Sequence, residues 1–352
     1  MPHRRPDGAT MSSTPRSSAG RAPDMADVAA LAGVSKQTVS RALSNHPNVT
    51  ALTRAKVEEA VAQLGYRRNA AASMLSSGRS RTIGVVSMPT LNYSSAVISY
   101  SMERAARAAG YAVSMATTTS LSPEAIAEAM SRLAEQAVEG IVLVVPLLVG
   151  SDATEEISRR IPTVTIDGSR SASTQVVAVD QTSVGRLATE HLLSLGHDTV
   201  WHLAGPGEWV EAGERESGWR AALQAAGRDV PPILRGDWSP ESGYQAGLLL
   251  ARMPEVTSVF ASSDEMAFGV IRALHEQGRR VPDDVSVIGV DDIALAAYCS
   301  PALTTVAQPF EEIGRLAVDH LIEVIVDPDS TPPAPTTVAA SLVVRGSTAP
   351  PA

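Results

Sequence analysis

The sequence predicts an α/β chain with a small all-helical N-terminal head and two doubly wound parallel-sheet lobes. Three observations predict it. From Ile83 onward, near-continuous Val/Ile/Leu runs alternate with helix-patterned segments, as parallel strands covered on both faces require. This stretch of about 260 residues is more than one open sheet comfortably holds, so it divides into two. Residues 24–64 carry helical periodicity without a strand, in a unit too small for an enzyme core.

The head reads in order. Asp24 caps a helix from Met25 to Ala32, with Val28, Ala29, Leu31 and Ala32 inward, and Gly33 ends it. Ser35 caps a second helix to Leu43. Thr50 caps a third, Ala51 to Leu64, stopped by Gly65; its Val57, Ala60, Val61 and Leu64 fall at helical spacing. Residues 69–77 (NAAASMLSS) are helix-compatible but nearly devoid of core residues, and a helix this short is mostly unfolded alone.

In the body, the strand runs are IGVVSM, YAVSMATT, GIVLVVP, PTVTID, VVAVD, TVWHLAG, SVFASSD and VSVIGVDD. Helical segments between them include Ala96 to Ala109, Pro123 to Ala137, Ser183 to Leu195, Arg215 to Ala226, Ser239 to Met253 and Asp264 to Gln277. In such folds a ligand lies between the lobes, at the carboxyl ends of strands. TPPAP at 331–335 reads as a crossover loop.

Charge is divided unevenly. Residues 1–81 hold twelve Lys and Arg against five Asp and Glu, a net of +7, whereas residues 82–352 carry a net of −16. Such a chain meets a polyanion with one end only. Cys299 is the sole cysteine, so no disulfide framework forms. Residues 1–23 lack the apolar stretch of a signal peptide, and the longest apolar run, Ile141 to Val149, is too short for a bilayer and broken by Pro146. A soluble, cytosolic protein is expected.

Catalytic motifs are missing. No Gly-Lys pair exists for a P-loop, no HExxH or GxSxG occurs, and GPGEWV lacks the third glycine of a dinucleotide loop. His191 and His197 suit structural or capping roles better than a metal, and Cys299 has no nucleophile signature. An enzyme is not expected, nor a cofactor or metal.

The segment AGVSKQTVSRAL carries the most information. Gly33 supplies the tight turn of a helix-turn-helix, Val34, Val39 and Leu43 an apolar inner face, and Ser35, Lys36, Gln37, Ser40 and Arg41 a polar outer one. Gln suits adenine and Lys suits guanine in a major groove. The bland alternative is a solvated surface helix. Over the longer stretch DVAALAGVSKQTVSRALSNHPNVTALTRAKVEEAVAQLGYRRNAAASML, continuing through SGRSRTIGVV, the chain resembles the head of the lactose-repressor (LacI/GalR) family. Further family-like stretches, EHLLSLGH, HLAGP, GDWSPESGYQAG, SSDEMAFG, VSVIGVDD and SPALTTVAQPF, extend the resemblance over residues 25–346.

Residues 1–23, without apolar periodicity, read as a disordered tail and residues 347–352 as a short polar tail. Between them the resemblance implies a helix-turn-helix domain (24–68), a hinge helix and linker (69–81) and a two-lobed, periplasmic-binding-protein-like effector and dimerisation domain (82–346). It implies a homodimeric repressor on a pseudo-palindromic operator, with DNA contacts from Ser35, Lys36, Gln37, Ser40, Arg41, Asn48, Thr53, Asn69, Ala72 and Leu75. Leu75 would wedge a base step from the minor groove, or else serve as a linker residue packed on the body. Arg68 stands where the family usually has Pro, which loosens the start of the hinge. Without C-terminal leucine heptads, a dimer rather than a tetramer is expected.

For the effector, the family pattern implies a sugar site on Asp167, Arg215, Trp238 and Asp291, with Ser263 replacing an asparagine and Val145 marking another departure. Arg215 would fork onto vicinal hydroxyls, Trp238 would stack on a sugar ring, and the two aspartates would accept from hydroxyls. Each has a plainer role: Trp238 a core anchor, Asp291 or Asp292 a helix cap, Arg215 an ion pair with Glu211, Glu214 or Glu216, Asp167 a turn before Gly168. Trp209 and Glu208 are placed beside the cleft. A galactoside-like ligand is favoured, a purine or nucleoside is the alternative within the family, and a solute-binding transport component is the alternative from another class.

Overall fold

The computed structural model describes residues 22–44, 46–66, 74, 78–88, 93–118, 120–145, 152–167, 175–328 and 335–352. Arg68, Asn69, Ala72, Leu75, nearly all of the expected tail 1–23 and most of the 331–335 loop lie outside them. The chain divides into two compact units, Met1–Arg79 and Ser80–Ala352.

The first unit is the predicted trio of helices: α1 (Met25–Ala32), α2 (Lys36–Leu43) and α3 (Ala51–Leu64). Asp24 accepts from the backbone N–H groups of Ala26 and Asp27, while Asp27 accepts from the Asp24 N–H, a reciprocal capping box. Gly33 (φ 66°) ends α1 in the left-handed conformation that leaves room for the turn into α2. Val28, Val39 and Val57, one from each helix, are fully buried and form the centre of the small core with Ala29, Ala42 and Ala60.

The second unit has two six-stranded sheets. The first is ordered β11-β5-β4-β3-β1-β2, all parallel. Its strands are β1 (Thr82–Ser87), β2 (Ala112–Thr117), β3 (Gly140–Val144), β4 (Thr163–Ile166), β5 (Gln175–Val179) and β11 (Thr336–Val338), covered by α4 (Tyr93–Ala108), α5 (Pro123–Glu135), α6 (Asp152–Arg160) and α11 (Phe310–Val326). The second is ordered β12-β10-β9-β8-β6-β7, with only β12 antiparallel. It comprises β6 (Trp201–Ala204), β7 (Leu234–Arg235), β8 (Ser258–Ala261), β9 (Ser286–Asp291), β10 (Thr304–Ala307) and β12 (Ser341–Val343), with α7 (Gln181–Ser194), α8 (Val210–Ala225), α9 (Pro240–Leu250) and α10 (Asp264–Glu276). The chain crosses between sheets three times: after β5, after β10 and between β11 and β12. Buried runs such as Ile141–Leu143 and Val287–Ile288 explain why these strands read as continuous apolar stretches.

Four expectations are corrected. Leu31, expected inward on α1, is exposed and takes no part in the small core. Helix α8 begins at Val210, not Arg215; its buried face is Ala212, Arg215, Trp219, Ala222 and Leu223, a helical spacing hidden because small and charged residues carry it. Helices α6 and α11 were not among the anticipated segments. Residues 347–352 are not a loose tail. Strand β10 starts at Thr304 opposite Ile288, which leaves the preceding backbone of β9 without a neighbour on that side. Ser347, fully buried, fills the gap: its carbonyl accepts from the Val287 N–H (2.9 Å), and its hydroxyl donates to the Val287 carbonyl (2.6 Å) and accepts from the Thr304 N–H (2.8 Å).

Helices α7 and α8 meet backbone to backbone. A Cβ on Gly185 would lie 2.0 Å from the Arg215 carbonyl oxygen, and one on Gly218 would lie 2.0 Å from that of Thr182. This contact seats Arg215. Gly185→Ala forces the helices apart and is expected to cost about 1–3 kcal/mol or more; denaturant unfolding of the variant beside the wild type checks this, and an unchanged midpoint would contradict it.

Candidate functional site

Two surfaces gather the sequence-predicted residues. On the head, Ser35 accepts at the start of α2 from the Thr38 N–H (3.1 Å) and shares a 2.9 Å hydroxyl bond with Thr38. Capping of this kind contributes about 1 kcal/mol. Lys36, Gln37 and Arg41 are exposed on the same short helix, Ser40 is half-buried, and Val39 and Ala42 turn inward. Asn48 is exposed in the turn before α3, its N–H on His46 Nδ1 (3.2 Å). Thr53, half-buried in the first turn of α3, bonds Thr50 through its hydroxyl (2.9 Å). The head therefore presents a polar, cationic outer face with a capped helix start.

In the second unit, the cleft between the sheets encloses about 780 Å³, its open mouth included, and is lined by Asp167, Arg215, Trp238, Ser263 and Asp291 together with Trp209 and Val145. Glu208 is exposed and not among the lining residues. Asp167 follows β4, Ser263 follows β8 and Asp291 closes β9, so the cleft opens at carboxyl ends of strands.

Arg215 is the anchor. It is 5% exposed, its Nε donates to Gln181 Oε1 (2.8 Å) and its Nη1 to the Ser262 carbonyl (2.6 Å). None of the suggested ion pairs with Glu211, Glu214 or Glu216 forms; Glu216 pairs with Arg220 and Arg235 instead. Nη2 has no hydrogen-bond partner among the described residues, and the guanidinium carbon lies 5.5 Å from the Trp238 ring centre. Trp238 (φ 72°) is both core anchor and cleft wall: its indole fills the space a Cβ on Gly205 would need and meets Trp209 edge-on at 5.8 Å.

Sequence reasoning missed Gln181 and Gln308, which continue the network. Gln181 Nε2 donates to Gln308 Oε1 (2.9 Å), and Gln308 Nε2 donates to Asp291 Oδ1 (2.6 Å). They sit at the first two crossings between the sheets. A polar residue straight after an apolar strand, as in TTVAQ, was the available signal for Gln308. Neither Asp291 nor Asp292 caps a helix: Asp291 serves the relay and Asp292 pairs with Arg345 at 2.6 Å. Asp167 (φ 51°) holds its turn by accepting from the Val179 N–H (3.0 Å) while its side chain lines the cleft. Ser263 caps α10, accepting from the Met266 N–H (3.2 Å).

Burial dominates the carboxyls. It pushes Asp167 up to about 6, Asp291 to about 7 and, with help from neighbouring Asp167, Glu211 to about 7; in each case the Arg215 charge pulls back. Asp264, buried behind the cleft where it accepts from the Thr305 hydroxyl and the Ile293 N–H, is raised to about 8 by burial and then by Asp291.

Comparison with known proteins places these features in context. The family model described as "Bacterial regulatory proteins, lacI family" matches residues 24–69, and that of a "Periplasmic binding protein-like domain" matches residues 189–348. The chain is 34% identical to the lactose operon repressor of Escherichia coli (strain K12), covering 84% of this chain and 83% of that one. It is 33% identical to the ribose operon repressor of the same strain, over 86% and 93%. The crystal structure of a lac repressor dimer bound to operator and the anti-inducer ONPF superposes with a TM-score of 0.84 at 32% identity, over 94% of this chain and 100% of that one.

The raised carboxyls have a consequence for stability. Each binds its proton more tightly when folded, so stability falls as pH rises from the ordinary carboxylate range through the folded value. His202, lowered to about 4 by burial, works oppositely but only below its ordinary 6.5. Between about pH 6.5 and 8.5 the carboxyls dominate, and the ligand-free protein is expected to lose stability steadily; denaturant midpoints that stay flat or rise across this window would contradict the assignment.

Proposed function

The chain belongs to the lacI family of bacterial regulatory proteins, and from that premise we propose that it is an operator-binding transcription repressor switched by a small sugar in its cleft. The head docks its α2 helix in a major-groove half-site, with Lys36 and Gln37 near base edges and Arg41 on the same face. Two copies place two heads on a pseudo-palindrome, and Leu75 of each wedges the minor groove between them. Such a repressor works in the cytoplasm, beside the chromosome; among the described residues no helix is long and apolar enough to cross a membrane.

The observation that carries the sugar reading is the free Nη2 edge of Arg215 beside the Trp238 indole, with Asp167 and Asp291 lining the same space. A guanidinium edge and carboxylate oxygens suit ring hydroxyls, and an indole suits the apolar C–H face of a pyranose. A galactoside-like ligand is the favoured member of the class, acting as inducer. It would change the separation of the two lobes, and only a difference in its affinity for the two states moves the repressor off DNA.

Two experiments test this. Gln37→Ala or Arg41→Ala is expected to abolish the gel shift with the operator upstream of its own or a neighbouring gene while leaving ligand-induced thermal stabilisation intact; unchanged operator affinity would refute the docking face. Thermal-shift screening with galactosides, glucosides, pentoses and purines identifies the ligand, and Arg215→Lys, which keeps the charge and loses the fork, is expected to weaken a sugar hit by about tenfold to a hundredfold. A purine as the sole hit would overturn the sugar assignment.

A further inference from the structure

The sugar reading uses Arg215, Trp238, Asp167 and Asp291 but leaves Glu211 without a task. Glu211 lies in the first turn of α8 and lines the cleft. Its Oε2 is sealed from solvent and has no hydrogen-bond partner. A buried carboxylate oxygen left unmet at a ligand cleft suits a donor that arrives with the ligand.

Charge balance narrows the donor. Among the described lining residues, the carboxyls of Asp167, Glu211, Glu265 and Asp291 share a single cation, Arg215, whose Nε and Nη1 are already committed. Glu265 accepts from the Tyr93 N–H, Asp291 from Gln308 and Asp167 from the Val179 N–H, which leaves Glu211 the least compensated. The charged groups near Glu211 are Asp167, Arg215 and Glu214, two acids to one base. A neutral hydroxyl would meet the open oxygen but leave the surplus negative charge buried, which is costly. No cluster of three acids or histidines among the described residues is arranged to hold a metal ion. A compact organic cation satisfies both demands.

Building on the sugar reading, we propose that the cleft takes an amine-bearing sugar whose ammonium group sits between Asp167 and Glu211, and that Glu211 sets its preference over the neutral parent sugar. The preference arises because the ammonium donates to the open Oε2 and removes the repulsion between the two carboxylates as it binds.

Calorimetric titration of the full chain with paired probes tests this: D-galactosamine against D-galactose, and D-glucosamine against D-glucose, at about pH 7.5, above the free-cleft values of about 6 for Asp167 and about 7 for Glu211 and within reach of a charged amine. The amine member of a pair is expected to bind about tenfold more tightly or better. Glu211→Gln should bring that ratio close to one, with a ligand-free melting temperature at or above the wild type because a repulsion is gone. Equal affinities within both pairs, or a ratio unchanged by Glu211→Gln, would overturn the inference. Tight binding of neutral sugars alone would do the same yet leave the sugar reading standing, whereas a cleft that takes no sugar of any kind would bring down both.

Discussion

Everything in the second unit is arranged around one buried guanidinium. Arg215 cannot shed its proton, so a site for it inside a lobe exists only if the charge is matched by acceptors. The structure supplies them from the protein's own chain crossings: Gln181 at the first, Gln308 at the second, linked to each other and onward to Asp291. Removing one neutral acceptor from such a set typically costs about 1.5–3 kcal/mol because a buried charge loses a hydrogen bond. The same bonds that make Arg215 tolerable also tie the floor of the cleft to the segments about which the lobes would move. A ligand that occupies the free edge of Arg215 therefore touches a network whose other end lies at the crossings.

The close contact of α7 with α8 serves that arrangement. Two glycines let the helices approach until carbonyl oxygens touch the opposing backbone, which places Arg215 against Gln181 without slack. A longer side chain at either position would open the seam. Arg215 and Gln181 are thus held by packing on rigid helices rather than by loops, the condition for holding a side chain within a fraction of an ångström.

How much of this could be read in advance depended on what carried the signal. The helices of the head were legible because Asp24, Ser35 and Thr50 as caps and Gly33 and Gly65 as stops are local chemistry, acting within one turn, but the inward placing of Leu31 was not, since periodicity alone does not show how far a face is covered. The long inner strands were legible because burial on both faces selects mostly apolar residues, whereas the short β7, β10, β11 and β12 offered no apolar run long enough to read. Arg215, Trp238, Asp167 and Asp291 were picked out by family likeness, and they do share one cleft. Gln181 and Gln308 escaped because their significance is a matter of partners that lie 34 and 127 residues away along the chain, and Glu211 because what marks it is a buried oxygen left without a partner. The start of α8 escaped because its inner face is made of alanine, glycine and arginine, and the closing segment at Ser347 because small polar residues look like a tail until a strand lacks a neighbour.

The third crossing has a consequence for how the molecule comes into being. Strand β11, which completes the edge of the first sheet, is contributed only after the whole of the second sheet except β12 has gone by. Neither lobe is a contiguous stretch of chain, so neither can reach its finished hydrogen bonding while the other is still missing. Pairings of such long sequence separation are slow to form, and during synthesis the unfinished first lobe would wait with an open strand edge. The lobes are one folding unit even though they look like two bodies, and damage in either is expressed as failure of both.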